Sequence, residues 1–480
     1  MATLTISKKS LAKNSKWLFA ILITMMAAFT ANSWLSVASL LLLIVMAKLL
    51  WRPGEPPILL YAGCYQWMQA CILTFEGNFK GLNIDDMGYS QAITQAAWLS
   101  LAGLLMVCLG MRVGGGGSYA KKSQESAAAI AAQMSVKKLF VACLVAIVAA
   151  NFLTILGYSL PGLRQPLLAL SLLHWVFVYL LTYTVFSRHR GYAALGIIFV
   201  IELAVGFLGF FSGFKTVLIV VFIAVMAAPY AMRGVKFRSA LAIGAVILAL
   251  AVVWTGIKKE YRQFLNDGTQ QQVVLVSVGD RVDKLMELVS ALDGEKLDIA
   301  ISGFIERLTY VHFFGESIRT VPSRIPFEDG KLWGEAIQVA LVPRLINPNK
   351  IVLDDSKRTA YYTGNRVAGS EDGASISLGY VAESYIDFGP WLMMPVLFLW
   401  GIAVGLSYRI LVRSGRFPLF GYACATIVIF LNASVLESSN TKMVGGLILG
   451  LGAMYLVQKY FARRLLRMVA LKARFNPDAA

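Results

Sequence analysis

The side chains able to do chemistry in this sequence fall into a few small sets. Thr309, His312, Glu316 and Arg319 recur at i, i+3, i+7 and i+10, which on one helix gives them a common face. There Glu316 would hydrogen-bond and orient the imidazole of His312, the only outer-side histidine, which titrates near neutrality. The same pattern also fits an ordinary solvated helix face. Arg307 lies just upstream, and Arg344 and Lys350 sit in VPRLINPNK, where Pro343 and Pro348 bracket a short rigid turn able to aim Arg344 inward. Glu383, in SLGYVAESYIDFG, needs partial burial to raise its pKa into the range of a base. His174 and Glu202 stand in the middle of apolar runs, where ionisable groups serve a proton relay or form a neutral hydrogen-bonded pair; the scarcity of other polar groups there favours the pair. Cys64, Cys71, Cys108, Cys143 and Cys424 all fall in apolar runs without a CxxC, so neither a disulfide set nor a zinc site is expected. Asp354 with Asp355 and Glu371 with Asp372 are too few for a dedicated metal.

The elements that must hold these residues are membrane helices. Of 480 residues 58% are hydrophobic and only 15% charged, a balance outside the range of soluble domains. Twelve apolar runs stand near 17–31, 34–51, 56–75, 91–111, 139–160, 165–186, 192–213, 216–232, 240–257, 389–410, 417–436 and 443–460. Most approach the ~20 residues that cross a bilayer. The first is short and follows Lys8, Lys9, Lys13 and Lys16, so it could be mistaken for a signal peptide ending near Ala31; cleavage there would leave the remaining orientation unchanged. With the N-terminus in the cytoplasm, 25 Lys/Arg fall in cytoplasmic segments, against only Lys80, Arg164, Lys215 and Lys442 in the short outer loops. That asymmetry sets both termini inside and accounts for most of the net charge of +17, leaving no reason to invoke nucleic acid. The GGGG and SQESAAAIAAQ stretch from Gly114 to Ser135 reads as a flexible, weakly helical cytoplasmic linker, since it lacks the Lys-Ser/Thr of a phosphate-binding loop.

The chain therefore divides into residues 1–257, with nine spans and a linker near 112–138, a large periplasmic loop over 258–388, and residues 389–480 with three spans and a basic tail. A loop of about 130 residues is uncommon without a function. It carries 15 Lys/Arg and 19 Asp/Glu, so its cations must act locally rather than as a polyanion-binding surface. Its first half has helical periodicity, including one helix from about Ile299 to Arg319; its second half reads as irregular chain around one short helix near Leu332 to Leu341.

Four segments carry a resemblance: Phe211-Ser212-Gly213-Phe214-Lys215 at an outer edge, Arg307 in IERLTYVHFF, Val342 to Lys350, and Ser377 to Gly389 leading into a span. In these and in its architecture the chain resembles the Wzy-type polymerases of O-antigen and exopolysaccharide repeat units, with the motif-level likeness confined to about residues 205–410. The resemblance implies an all-α, multi-pass protein of the bacterial inner membrane. It implies transfer of a growing glycan from its undecaprenyl-diphosphate carrier onto the next lipid-linked repeat, without a cofactor, alongside a chain-length regulator and a flippase of the same pathway. Lys215, Arg307, Arg319, Arg344 and Lys350 would then hold diphosphate and glycan, and Glu383 or His312 would serve as base. Replacing Arg344 or Glu383 by Ala is expected to abolish polymer while the protein still accumulates. Lys215 stands where the family often has Arg, and binds phosphate as a point charge rather than a fork. A glycan ligase is the nearest alternative; a twelve-helix transporter is the alternative of another class.

Overall fold

The computed structural model describes residues 25–117, 120–160, 162–208, 213–229, 235–267, 275–342, 347, 353–369, 375–413, 415 and 417–471. The described residues are mainly helical, with no strand among them. Among them seven helices are long and apolar enough to cross a membrane: Ser33–Leu50, Ile58–Lys80, Ile93–Gly115, Val136–Ser159, Arg164–Arg188, Tyr380–Arg413 and Asn440–Val469. Tyr192–Leu208, Phe214–Ala227 and Pro418–Ala433 are shorter and equally apolar. Each of the ten overlaps an expected span, and the chain is an all-α, multi-pass membrane protein. Most of the first expected span lies outside the described residues.

The closest helix pair is Ile93–Gly115 with Tyr380–Arg413. Each carries two glycines four apart, Gly110 with Gly114 and Gly401 with Gly405, on the face turned to the other. A β-carbon on Gly110 would strike the backbone of Phe398 and Gly401, and one on Gly401 the backbone of Val107. In a bilayer, where apolar side chains gain little by leaving lipid, small residues that let backbones meet are a main source of helix association. The second helix of the pair is bent near its N-terminal end. Gly389 adopts φ 69° and ψ −177°, which separates the two and a half turns from Tyr380 to Phe388 from the span that begins at Pro390.

Four local expectations need correcting. Ala120–Ala132 is a helix, not a flexible linker; Ala127, Ile130 and Ala131 are buried, because its alanine-rich stripe is small enough to dock against neighbouring helices. The helix expected from Ile299 to Arg319 is two, Gly294–Leu308 and Val311–Thr320, broken where Thr309 takes φ −76° and ψ 67°. The Lys331–Leu341 helix is present, but Asp355–Thr363 is a second one, begun by the Asp354 carboxylate accepting from the N–H groups of Ser356 and Lys357. Finally, the helix expected to end near residue 257 runs unbroken from Val235 to Leu265, so its last turns project into the loop region.

Five consecutive residues of Tyr380–Arg413 hold the loop down. The Glu383 carboxylate accepts from Asn440 N at 2.8 Å, starting the Asn440–Leu456 helix. Ser384 Oγ accepts from Trp333 Nε1 at 2.9 Å, and Tyr385 Oη donates to Val321 O at 3.1 Å. Ile386 O accepts from Glu328 N at 3.0 Å. The Asp387 carboxylate accepts from Leu332 N at 3.0 Å and Trp333 N at 2.9 Å, capping Lys331–Leu341, which lacks a capping side chain of its own. That helix lies among the spans, its Trp333 ring 6.1 Å from Trp400.

Candidate functional site

Beside the loop, three helix ends bring four cations together. Lys215 is the second residue of Phe214–Ala227, whose first residue stacks on Phe207 at 4.3 Å and meets Trp254 edge-on at 6.1 Å. Phe214, Val217, Trp254, Ile257, Tyr261 and Leu265 belong to an apolar cluster separate from the main core. On Val235–Leu265 the buried positions 254, 257, 261 and 265 recur every three or four residues, so Lys258 and Arg262, four apart, share an adjoining stripe. Gly256 and Gly303 let Gly294–Leu308 pack closely on that helix, with Ala300 3.1 Å from where a Gly256 β-carbon would sit and Thr255 beside Gly303. Arg307, in the last turn of Gly294–Leu308, is thereby carried to the same place.

The charges of Lys215, Lys258 and Arg262 each lie within electrostatic reach of Arg307, and Lys258 also feels Lys215 and Arg262. Lys215 and Arg307 are exposed, and Lys258 and Arg262 half-buried. Lys215, Lys258 and Arg307 form no salt bridge among the described residues. Gathering like charges is unfavourable by itself and becomes favourable when an anion enters. The carboxylate facing the group is Glu437, in the turn after Pro418–Ala433, within reach of Lys215 and of Tyr65. Gln69 fixes that turn, donating to Glu437 Oε2 at 2.8 Å and accepting from Leu436 N at 2.7 Å.

Of the expected site residues, Lys215 and Arg307 thus come together. Arg319 does not join them: its guanidinium turns to Glu316 at 2.8 Å. His312 and Glu316 keep their four-residue spacing on one helix, but the Glu316 carboxylate is taken by Arg319, three residues on, and the expected hydrogen bond to His312 is not formed. His312 instead packs on Tyr89, ring centroids 5.2 Å apart, and its Nδ1 has no hydrogen-bond partner. Burial pushes the imidazole pKa down, against the opposing pull of Glu316 and Glu306, so the ring is neutral at neutral pH. Glu383 is wholly buried, with Arg358 Nη1 3.6 Å from Oε1 and the same guanidinium bonded to Glu335 at 2.7 Å. Arg344 and Lys350 lie outside the described residues. His174 and Glu202 do meet, Nε2 to Oε1 at 3.9 Å, while His174 Nδ1 bonds Ser171 O at 2.6 Å.

Lys258, Arg262 and Glu437 escaped the sequence reading. The i, i+4 spacing of Lys258 and Arg262 was visible, but hydropathy falls at residue 257 whereas the helix continues. Glu437 left no signal beyond being a lone carboxylate between two spans. No curated protein and no solved structure matches the chain. A family model described as Domain of unknown function (DUF8712) matches residues 90–437, and the chain belongs to that family.

Proposed function

We propose that this protein is a membrane-embedded glycosyltransferase that polymerises polyprenyl-diphosphate-linked oligosaccharide repeat units. The observation that carries the reading is the convergence of Lys215, Lys258, Arg262 and Arg307 at the loop-side end of apolar helices. A lipid diphosphate presents two phosphates at the membrane edge on an apolar tail, and a cation cluster at a helix-bundle rim complements both parts. The likeness of the loop segments to Wzy-type polymerases supports the same substrate. In this reading twelve spans place both termini in the cytoplasm and the loop in the periplasm of a bacterial inner membrane.

In the reaction the acceptor hydroxyl of the incoming repeat attacks the anomeric carbon of the growing chain. The carbon–oxygen bond to the carrier breaks as the new glycosidic bond forms, and the hydroxyl proton passes to a base. The cations stabilise the negative charge gathering on the departing diphosphate. His312, neutral and with a ring nitrogen unengaged, suits the base; Glu383, bonded and enclosed, suits positioning of the loop. Arg344 and Lys350 join the diphosphate and glycan contacts.

The test is the size distribution of lipid-linked and exported glycan in cells with and without the gene. Loss of long polymer, with single repeats accumulating on the carrier, supports polymerisation. Long polymer stranded on its carrier indicates a ligase, and an unchanged profile rejects both in favour of a transporter.

A further inference from the structure

At the end of the bundle away from the loop, Val136–Ser159, Leu173–Arg188 and Ala462–Val469 enclose an open groove of about 790 Å³. Its walls include Val141, Val145, Leu153, Phe177 and Leu465, and Ala142, Ala146 and Ala149 leave a slot along one helix face. Lys137 and Lys138 stand at its rim. From Lys137 to Leu153 the helix rises roughly 24 Å, more than the ~15 Å hydrocarbon depth of one leaflet.

The rim is held in place by backbone. Ser135 N donates to Val469 O and Leu471 N to Gln133 O, each at 2.8 Å, and Lys138 Nζ donates to Ala470 O at 2.7 Å. These bonds fix Ala462–Val469 beside the start of Val136–Ser159. Ala462, Leu466 and Val469 of that short helix are buried, while Arg463, Arg464 and Arg467 are exposed. None of these arginines, nor either lysine, forms a salt bridge among the described residues. Residues 133–152 and 456–471 contain no Asp or Glu at all, so their own sequence supplies no counterion. An apolar slot longer than a leaflet is deep, with Lys137 and Lys138 at its rim and further cations on the adjoining short helix, has the form of one class of molecule.

We propose that this groove seats an anionic phospholipid, its acyl chains along Val141 to Leu153 and its phosphate headgroup against Lys137, Lys138 and the arginines of Ala462–Val469. The headgroup bridges the two helices and neutralises a rim that the protein leaves uncompensated. A zwitterionic lipid is a weaker occupant, because its own ammonium cancels the charge the rim selects. The site lies at the opposite end from the cation cluster of the proposed reaction and stands or falls independently of it.

The experiment uses the full chain in phosphatidylcholine nanodiscs carrying a trace of diazirine-labelled phosphatidylglycerol, with labelled peptides mapped after irradiation. The expected result is labelling concentrated in residues 137–153 and 465–469, competed by unlabelled phosphatidylglycerol and not by phosphatidylcholine. Each basic residue near an anionic group contributes a factor of about five, so Lys137→Gln with Lys138→Gln should lower labelling roughly thirtyfold. Ala146→Trp, which fills the slot and leaves the rim intact, should abolish it in a chain that still elutes as a folded species. Equal labelling by a phosphatidylcholine probe, label spread over all lipid-facing helices, or label unaffected by Ala146→Trp would each overturn the proposal.

Discussion

Two charged regions of this molecule look alike in sequence and differ in every physical respect. The segment Glu383 to Asp387 is enclosed, and each of its residues is spoken for: Asn440, Trp333, Val321, Glu328 and Leu332 are tied to it in turn. The group Lys215, Lys258, Arg262 and Arg307 is open, and three of its four charges are left without salt bridges among the described residues. The first region is bonded as a fastening. The second was only half visible and has the electrostatics of a binding site. Satisfied bonds keep a fold standing; chemistry is better traced by charges whose partners are missing.

The sharpest way to break that contrast is at Glu383. Glu383→Ala leaves a wholly buried cavity, frees Asn440 N and removes one of the two carboxylates on Arg358, which keeps Glu335; losing a buried acceptor and its side-chain volume together costs about 2–4 kcal/mol. We expect the protein to fail to accumulate, measured by membrane immunoblot and thermal unfolding in detergent, with Glu383→Gln partly restoring it. Normal accumulation with complete loss of polymer would move Glu383 into the catalytic machinery. Arg307→Ala should do the reverse: unchanged accumulation with polymer formation lowered about a hundredfold, the scale of losing one charge-stabilising group from a transition state. Lys215→Arg should retain activity where Lys215→Ala does not.

Two smaller effects sharpen the assignment. If His312 is the base, its lowered pKa keeps it neutral below the ordinary value of about 6.5, so polymer formation persists as pH falls through that value and declines only at lower pH. In a pH profile of the purified enzyme, a decline already complete above 6.5 would exclude His312. Arg319→Ala should change stability by less than about 1 kcal/mol, since it removes a half-exposed pair, and should leave polymer length unaltered. A loss matching that of Arg307→Ala would restore Arg319 to the site.

The spans were legible because bilayer length and hydropathy act on each run separately. Relations between runs were not. Nothing in VWTGIKKEYRQFL marks the helix as continuing to Leu265, for hydropathy reports the solvent around a helix and not the helix itself. The alanine-rich Ala120–Ala132 reads as a linker because burying alanine contributes little hydropathy, although small side chains are what allow it to dock. Thr309 breaks a periodic pattern with no proline or glycine at the break, and the expected partnership of Glu316 and His312 gives way to an ion pair with Arg319 that the same spacing allows. The paired glycines at 110, 114, 401 and 405 were a readable signal of close helix contact that hydropathy overlooks.

Those glycines also bear on how the chain is assembled. Gly110 and Gly114 leave the ribosome long before Gly401 and Gly405, with the whole loop and several helices synthesised between them. Until the later helix enters the bilayer, the earlier one has lipid where its partner backbone belongs. A chain truncated before Pro390 should therefore be recognised as unfinished and degraded, however complete its loop. Closure of this helix pair must await the later helix, and because Gly401 and the Glu383 to Asp387 fastening lie on that one helix, a single segment carries both the scaffold contact and the loop contacts.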